Sequence, residues 1–382
     1  MSGSPEPVTA QSMSRGAPGG QLRRRTPTKT LKLAVLRICE LLGLFRISVW
    51  IFRKRLHILC YHGFELHDEC AFRPQLFISG ATFERRLRYI AENGFTVLPL
   101  GDALTRLRSG SLPQRTLVIT IDDGFKSTLV VADPLLKKLA MPATVYVTTY
   151  YMDKQVPVFR LAVQYVFWRA GDGAANLPMV TRAVGDIVRL DPSADSPSAI
   201  WKVIEYGEAL KSEEERQQLV ARLSRALDVD IDRLYVEGAL SIMSANDLRQ
   251  LRESNIDVEL HTHRHRFPVA NRAAAFREIE ENRDRLKTAA GVSATHFCYP
   301  SGIFDVAQWP WLDTLGVASA TTCLPGLNRV DTPLYGLRRF LDSESIEFIE
   351  FRSELAGFNE ILRWLKQFLR PDARQMANTI GS

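Results

Sequence analysis

From Leu56 onward, short apolar runs alternate along the chain with amphipathic stretches, the pattern of βα units wrapped around a parallel sheet or barrel. Strand patterns fall at His57–Tyr61, Thr96–Pro99, Thr116–Ile121, Ala143–Thr148, Ile256–Leu260, His296–Tyr299 and Ala318–Thr321. Helix signals lie between them. Thr82 to Asn93 opens on a Thr cap and stops at Gly94, and Asp133 to Ala140 carries Pro134 in its first turn. Ser244 to Ser254 and Ala273 to Ala290 follow, the second closed by Gly291. The rhythm breaks between Tyr150 and Leu240, a mostly helical insertion with a Pro/Ser/Asp-rich break near Asp191–Ser198, in a position where a lid or substrate-binding element would sit. Within it, Phe159, Trp168 and Trp201 fit either sugar stacking or an ordinary helical core.

Ahead of this pattern, residues 1–30 are rich in Ser, Gly, Pro, Thr and Arg and hold too little apolar surface to fold, which predicts a disordered basic tail. Residues 31–55 are strongly apolar but carry Lys32, Arg37, Glu40 and Arg46, and each charge at the centre of a membrane span costs about 3 kcal/mol. A spanning helix is therefore not expected. The segment reads as an amphipathic helix, either lying on an anionic membrane surface or packed on the protein's own body. No apolar segment followed by a small-residue cleavage site is present, so the expected location is the cytoplasm or the periphery of the cytoplasmic membrane. The remaining divisions are a catalytic domain over 56–345, with its insertion at 150–240, and a helical C-terminal tail over 346–382.

Charge and cysteine content narrow the chemistry. The formal net charge of +6 is modest for 382 residues and much of it sits near the N-terminus, so a nucleic-acid-binding body is not indicated. The five cysteines contain no CxxC pair, which argues against both a disulfide framework and a cysteine zinc site.

Candidate chemistry gathers at strand ends. The β-branched run Leu117–Ile121 terminates in Asp122-Asp123-Gly124-Phe125, and two adjacent carboxylates there must be paired, protonated or bound to a cation. By itself a lone Asp-Asp-Gly reads as a turn of solvated aspartates. The run Ile256–Leu260 leads into His261-Thr262-His263-Arg264-His265, which places three of the seven histidines within five residues, an arrangement suited to a divalent metal. Phe297-Cys298-Tyr299-Pro300-Ser301-Gly302 ends a strand in a turn able to offer backbone N–H groups to an oxyanion. His62 closes the first strand at the same mouth.

Taken in order, Thr120-Ile121-Asp122-Asp123-Gly124, His261-Thr262-x-x-His265 and Tyr299-Pro300-x-Gly302 resemble the polysaccharide deacetylase family, which includes the nodulation-type chitooligosaccharide deacetylases. The resemblance runs from about His57 to Leu341, outside the insertion. Tyr61-His62 and Thr82–Phe95 resemble the branch acting on poly-N-acetylglucosamine. The resemblance implies a distorted (β/α) barrel and a hydrolase that removes N-acetyl groups from N-acetylglucosamine-containing oligo- or polysaccharides. It implies a divalent metal held by Asp123, His261 and His265, with Zn2+ expected and Co2+ or Ni2+ accommodated, and it makes Asp122 the general base. The turn Tyr299, Pro300, Ser301 and Gly302 would contact substrate and supply the oxyanion N–H, from Ser301.

Two departures accompany it. Cys298 stands where many members carry an arginine that braces the base, and Arg339 is the candidate replacement. A late Leu-x-His motif for the general acid is missing, which points to His62 in that role. Competing readings are a hydrolase of the same fold acting on peptidoglycan, O-acetylated xylan or a small N-acylated compound, and a degenerate sugar-binding module.

Overall fold

The computed structural model describes residues 26–171 and 196–369. The expected disordered tail lies outside the described residues up to 25, and likewise most of the Asp191–Ser198 break and the chain beyond 369. Helix starts earlier than the apolar pattern indicates. Thr26 accepts the N–H of Lys29 and Pro27 occupies the first turn, so α1 spans Pro27–Leu41. The segment 31–55 is not one helix. Gly43 takes a left-handed conformation (φ 76°) between α1 and α2 (Leu44–Phe52).

A parallel sheet forms the centre, with β1 (His57–Tyr61), β4 (Thr96–Val97), β5 (Thr116–Ile121), β6 (Ala143–Val147), β7 (Ile256–Leu260), β8 (His296–Cys298), β9 (Ser319–Thr321) and β10 (Phe340–Leu341). A separate pair joins β2 (Gly63–Phe64) to β3 (Phe77–Ile78). The main order is β10-β1-β5-β6-β7-β8-β9, and β4 pairs with the start of β5. Residues in β1, β5 and β6 are buried on both faces, which is why those strands read as unbroken apolar runs instead of alternating ones. The sheet curls until its ends meet. Leu337 bridges Thr321 of β9, and three residues later Phe340 pairs with Leu59 of β1, so the segment 337–341 draws the two edges together into a distorted (β/α) barrel.

Helices clothe the outside. α3 (Gly80–Glu92) is capped by Ser79, whose hydroxyl accepts the Thr82 N–H, so the cap lies three residues before the Thr expected from the sequence. Further along are α4 (Leu100–Arg108), α5 (Phe159–Ala170), α6 (Ser196–Ala209), α7 (Glu213–Ala226) and α8 (Arg272–Ala290). α8 is capped by Asn271 and ended by a left-handed Gly291. α5, α6 and α7 of the insertion pack on one another. Phe159 joins the core there, Trp168 and Trp201 pack half-buried against it, and Trp201 also borders the cavity described below. α9 (Phe348–Leu355) and α10 (Phe358–Leu369) close the described chain.

One buried acid inside the barrel wall has a measurable consequence. Glu259 of β7 is 8% exposed and accepts the N–H groups of Thr295 and His296, both at 2.7 Å, fixing where β8 begins. Burial pushes its carboxyl up to about 7, against the pull of those two N–H groups. A folded-state value above the unfolded 4.5 means stability that is complete below 4.5 and lost as pH rises through 7. Glu259→Gln keeps the acceptor oxygen and removes the charge. Urea unfolding at about pH 8 should show the variant more stable by up to about 3 kcal/mol, with the difference fading towards pH 5. Parallel curves at both pH values would contradict the assignment.

Candidate active site

The chemistry sits where β1, β5, β7 and β8 end, the mouth at which parallel barrels collect reactive groups. After Ile121 the chain turns sharply. Asp123 has φ 70° and Gly124 φ 80°, and a Cβ at Gly124 would meet Val147 at 3.0 Å. Thr262, His265 and Ser301 also lie in the left-handed region, so four non-glycine residues in this conformation crowd one mouth. Backbone conformations of this kind are concentrated where surrounding structure holds side chains in a required direction.

Asp123, His261 and His265 converge. The Nε2 atoms of His261 and His265 each lie 3.1 Å from Asp123 Oδ1, and the three donor atoms are all within 4.8 Å of one another. The Nδ1 of His261 pairs with the Cys298 carbonyl at 2.9 Å, which orients the ring so that its Nε2 faces the carboxylate. Burial pushes the Asp123 carboxyl up, and the two imidazoles more than offset this, holding it well below the usual range. One carboxylate and two imidazoles aimed at a common point suit a divalent cation. The residues present therefore fit the metal that the motif pattern implies.

Two other donor groups, Cys60 with His62 and Asp122, and Asp122 with His261 and Cys298, do not fit as well. Burial pushes the Cys60 thiol well up, so it stays protonated and donates to Asp122 Oδ2 at 3.5 Å. Both oxygens of Asp122 are already engaged. Arg339 meets them in a fork, Nη1 to Oδ1 at 2.7 Å and Nη2 to Oδ2 at 2.8 Å, with neither side chain more than 3% exposed. Burial raises Asp122, but Arg339 overrides it and holds the carboxyl below the usual carboxylate range. The guanidinium is fixed in turn by the Thr322 carbonyl and the Thr120 hydroxyl. Thus Arg339 reaches, from the opposite edge of the sheet, the place that Cys298 leaves empty of charge. Cys298 itself adds an Sγ contact of 3.3 Å to Asp122.

His62 Nε2 stands 3.8 Å from Asp122 Oδ2, and burial lowers its pKa against the raising influence of the two aspartates. His263 turns away from this group. Its Nδ1 pairs with the Thr149 hydroxyl at 2.9 Å, and its Nε2 points towards Glu281 at 3.7 Å. In the turn after β8, the N–H groups of Gly302 and Ile303 bond to Tyr299 and Pro300, while that of Ser301 has no acceptor among the described residues. Tyr299 is buried, stacks on Phe304 and donates its hydroxyl to the Tyr335 carbonyl. A cavity of about 470 Å³ joins these groups: His62, both aspartates, both converging histidines, Tyr299 and Ser301 line it, and the insertion contributes Leu161, Gln164 and Trp201. The thiols on Asp122 and the contribution of Gln164 had no signal in the sequence.

Residues 231–320 match the family model for polysaccharide deacetylase. That stretch contains His261, His265 and the Tyr299–Gly302 turn, all at the mouth just described. Over that stretch the chain is similar to polysaccharide deacetylases. The chain is 29% identical over 103 residues to YxkH of Bacillus subtilis (strain 168), a protein assigned by inference as a polysaccharide deacetylase. The alignment covers 26% of this chain and 35% of that relative, so the chain spans about a third of the relative's length. Among solved structures, the Streptococcus pyogenes deacetylase PplD, in complex with acetate, superposes with a TM-score of 0.53 at 15% identity, covering 79% of this chain and 98% of PplD. A de-N-acetylase from Aggregatibacter actinomycetemcomitans gives 0.50 at 13% identity over 78% of this chain and 99% of its own. At those identities the likeness is one of fold: this chain shares the curled parallel sheet and its helices with them.

The two neighbouring aspartates should separate on substitution. Asp123→Ala, His261→Ala and His265→Ala are each expected to lose most stoichiometric divalent metal, read by elemental analysis of the purified protein. Asp122→Asn is expected to keep it. Full metal in His261→Ala, or loss in Asp122→Asn, would overturn the division between the two carboxylates.

Proposed function

We propose that this protein is a metal-dependent hydrolase that removes N-acetyl groups from N-acetylglucosamine-containing oligo- or polysaccharides, of the chitooligosaccharide or poly-N-acetylglucosamine type. One observation carries the reading: two adjacent carboxylates at one strand end have different partners, Asp123 two imidazoles and Asp122 a guanidinium. The first is set up to hold a cation and the second to handle a proton.

When bound by Asp123, His261 and His265, a divalent ion, zinc in this reading with cobalt or nickel also suited to the donors, polarises the acetamide carbonyl and acidifies water. The chain's own groups do the rest. Asp122 accepts a proton from the attacking water, and the Ser301 N–H faces the oxygen on which negative charge develops. A carboxyl held low by Arg339 is a weak base that gives up its new proton readily. His62, 3.8 Å away, is the adjacent acceptor, and its imidazole returns the proton to the departing amine as the C–N bond breaks. Water adds across the amide, giving acetate and a free amino sugar. The half-buried ring of Trp201, with Leu161, suits the apolar face of a sugar ring. In this reading the protein works in the cytoplasm or peripherally at the cytoplasmic membrane.

An acetate-release screen over defined N-acetylglucosamine oligomers, peptidoglycan fragments and acetylated xylan tests the substrate class, and release confined to O-acetylated xylan would reject the de-N-acetylase reading. The proton route has its own test. His62→Gln should keep its metal and lose about 100-fold to 10,000-fold of turnover on the oligomers, while an acetate ester of a good leaving phenol, needing no proton on its leaving group, is still cleaved. Loss of metal, or an equal fall on both substrates, would exclude His62 as the proton donor.

A further inference from the structure

Among the described residues, ten of the fifteen exposed large hydrophobic side chains lie on α1, α2, the link between them and α10. These helices form one unit at the edge of the barrel. Leu33, Leu36 and Phe45 pack inward against Ile349, Ala356 and Phe358, which satisfies one apolar stripe. A second stripe of α1, running through Leu31, Val35, Ile38 and Leu42 at helical spacing, faces out, and Leu41 beside it is 86% exposed. Trp50 of α2 and Trp364 of α10 are 66% and 61% exposed, one on each remaining helix. A monomer surface seldom keeps so many large apolar groups together unless something covers them.

The charges beside the patch identify what does. Residues 27–55 hold seven basic residues against a single acid, Glu40, and that acid is paired with Arg352. Arg37, Arg46 and Lys54 are exposed, and the Arg53 guanidinium lies 4.7 Å over the Trp50 ring. Tryptophan with neighbouring arginine and lysine at the border of an apolar stripe is the composition of a helix resting at the headgroup level of a bilayer. No helix among the described residues is long and apolar enough to cross a membrane. We propose that α1, α2 and α10 together form a dock that seats the protein on an anionic lipid surface, without crossing it. The dock is tied to the catalytic cavity. Lys29 of α1 donates to the Ser345 carbonyl at 2.9 Å and Lys32 pairs with Glu350, while Ser345 and Ile346 line the cavity itself. Seating these helices on a bilayer brings the cavity wall close to the lipid surface, where a membrane-associated saccharide is presented.

Co-sedimentation of the full chain with phosphatidylcholine vesicles, with and without phosphatidylglycerol, tests the dock and requires no turnover. Binding should favour the phosphatidylglycerol vesicles and weaken at least about tenfold in Leu41→Glu/Trp364→Glu, whose unchanged melting temperature reports an intact fold. Arg46→Glu/Lys54→Glu should erase the preference for anionic lipid. Equal sedimentation of wild type and Leu41→Glu/Trp364→Glu would overturn the proposal. So would a dimer in light scattering that Leu41→Glu/Trp364→Glu dissociates while neither protein binds vesicles, because the patch would then be an interface between copies.

Discussion

The ion pair between Arg339 and Asp122 is the contact through which the fold and the site depend on each other. Both groups are out of water, and burial of two charges is favourable only when their geometry is close and their remaining polar atoms are satisfied. Here the fork is complete, and Thr120, Thr322 and the two thiols take up what is left. Arg339 can deliver this contact because it belongs to the segment 337–341 that closes the barrel between β9 and β1. Closure of the sheet thus places the guanidinium, and the guanidinium in turn makes a buried aspartate tolerable at the strand end.

From that constraint follows the separation of roles between neighbours in sequence. Two like charges on consecutive residues repel unless each has its own compensation. Asp122 has a permanent cation; Asp123, turned to the other side by its left-handed backbone, has two imidazoles whose Nε2 atoms converge with its carboxylate as donors for a metal. The strain at Asp123, Thr262, His265 and Ser301 is the local cost of aiming four elements at one point, and the surrounding packed strands hold it.

Much of this was legible in the residues. Apolar runs marked β1 and β5 to the residue, because strands buried on both faces carry no polar alternation to blur them, and β7 was marked by its alternation of Ile256, Val258 and Leu260 with Asp257 and Glu259. The site motifs were readable for the same reason, since each follows such a run directly. What depended on distant contacts was not. β10 is two residues long and has no pattern of its own, so the partner of Arg339, 217 positions away, could be named only as a candidate. The thiol contacts of Cys60 and Cys298 join three strands, and local order along the chain says nothing of them. Near the N-terminus, the apolar pattern runs without pause through Gly43, where the backbone in fact turns by adopting a conformation that favours glycine. The matched family stretch, 231–320, likewise covers the histidines and the turn but neither aspartate, so the site is complete only when the sheet brings β5 beside them.

The central claim, that Arg339 and Asp122 act as one unit, is tested most directly by a double-mutant cycle in chemical denaturation. Arg339→Met alone should destabilise by about 3–5 kcal/mol, because it strands a buried carboxylate. Adding Asp122→Asn removes that charge, so the double variant should be more stable than Arg339→Met, with a coupling energy of at least about 2 kcal/mol. Effects that add to within about 0.5 kcal/mol would mean that the two residues stabilise the fold independently, contrary to the account.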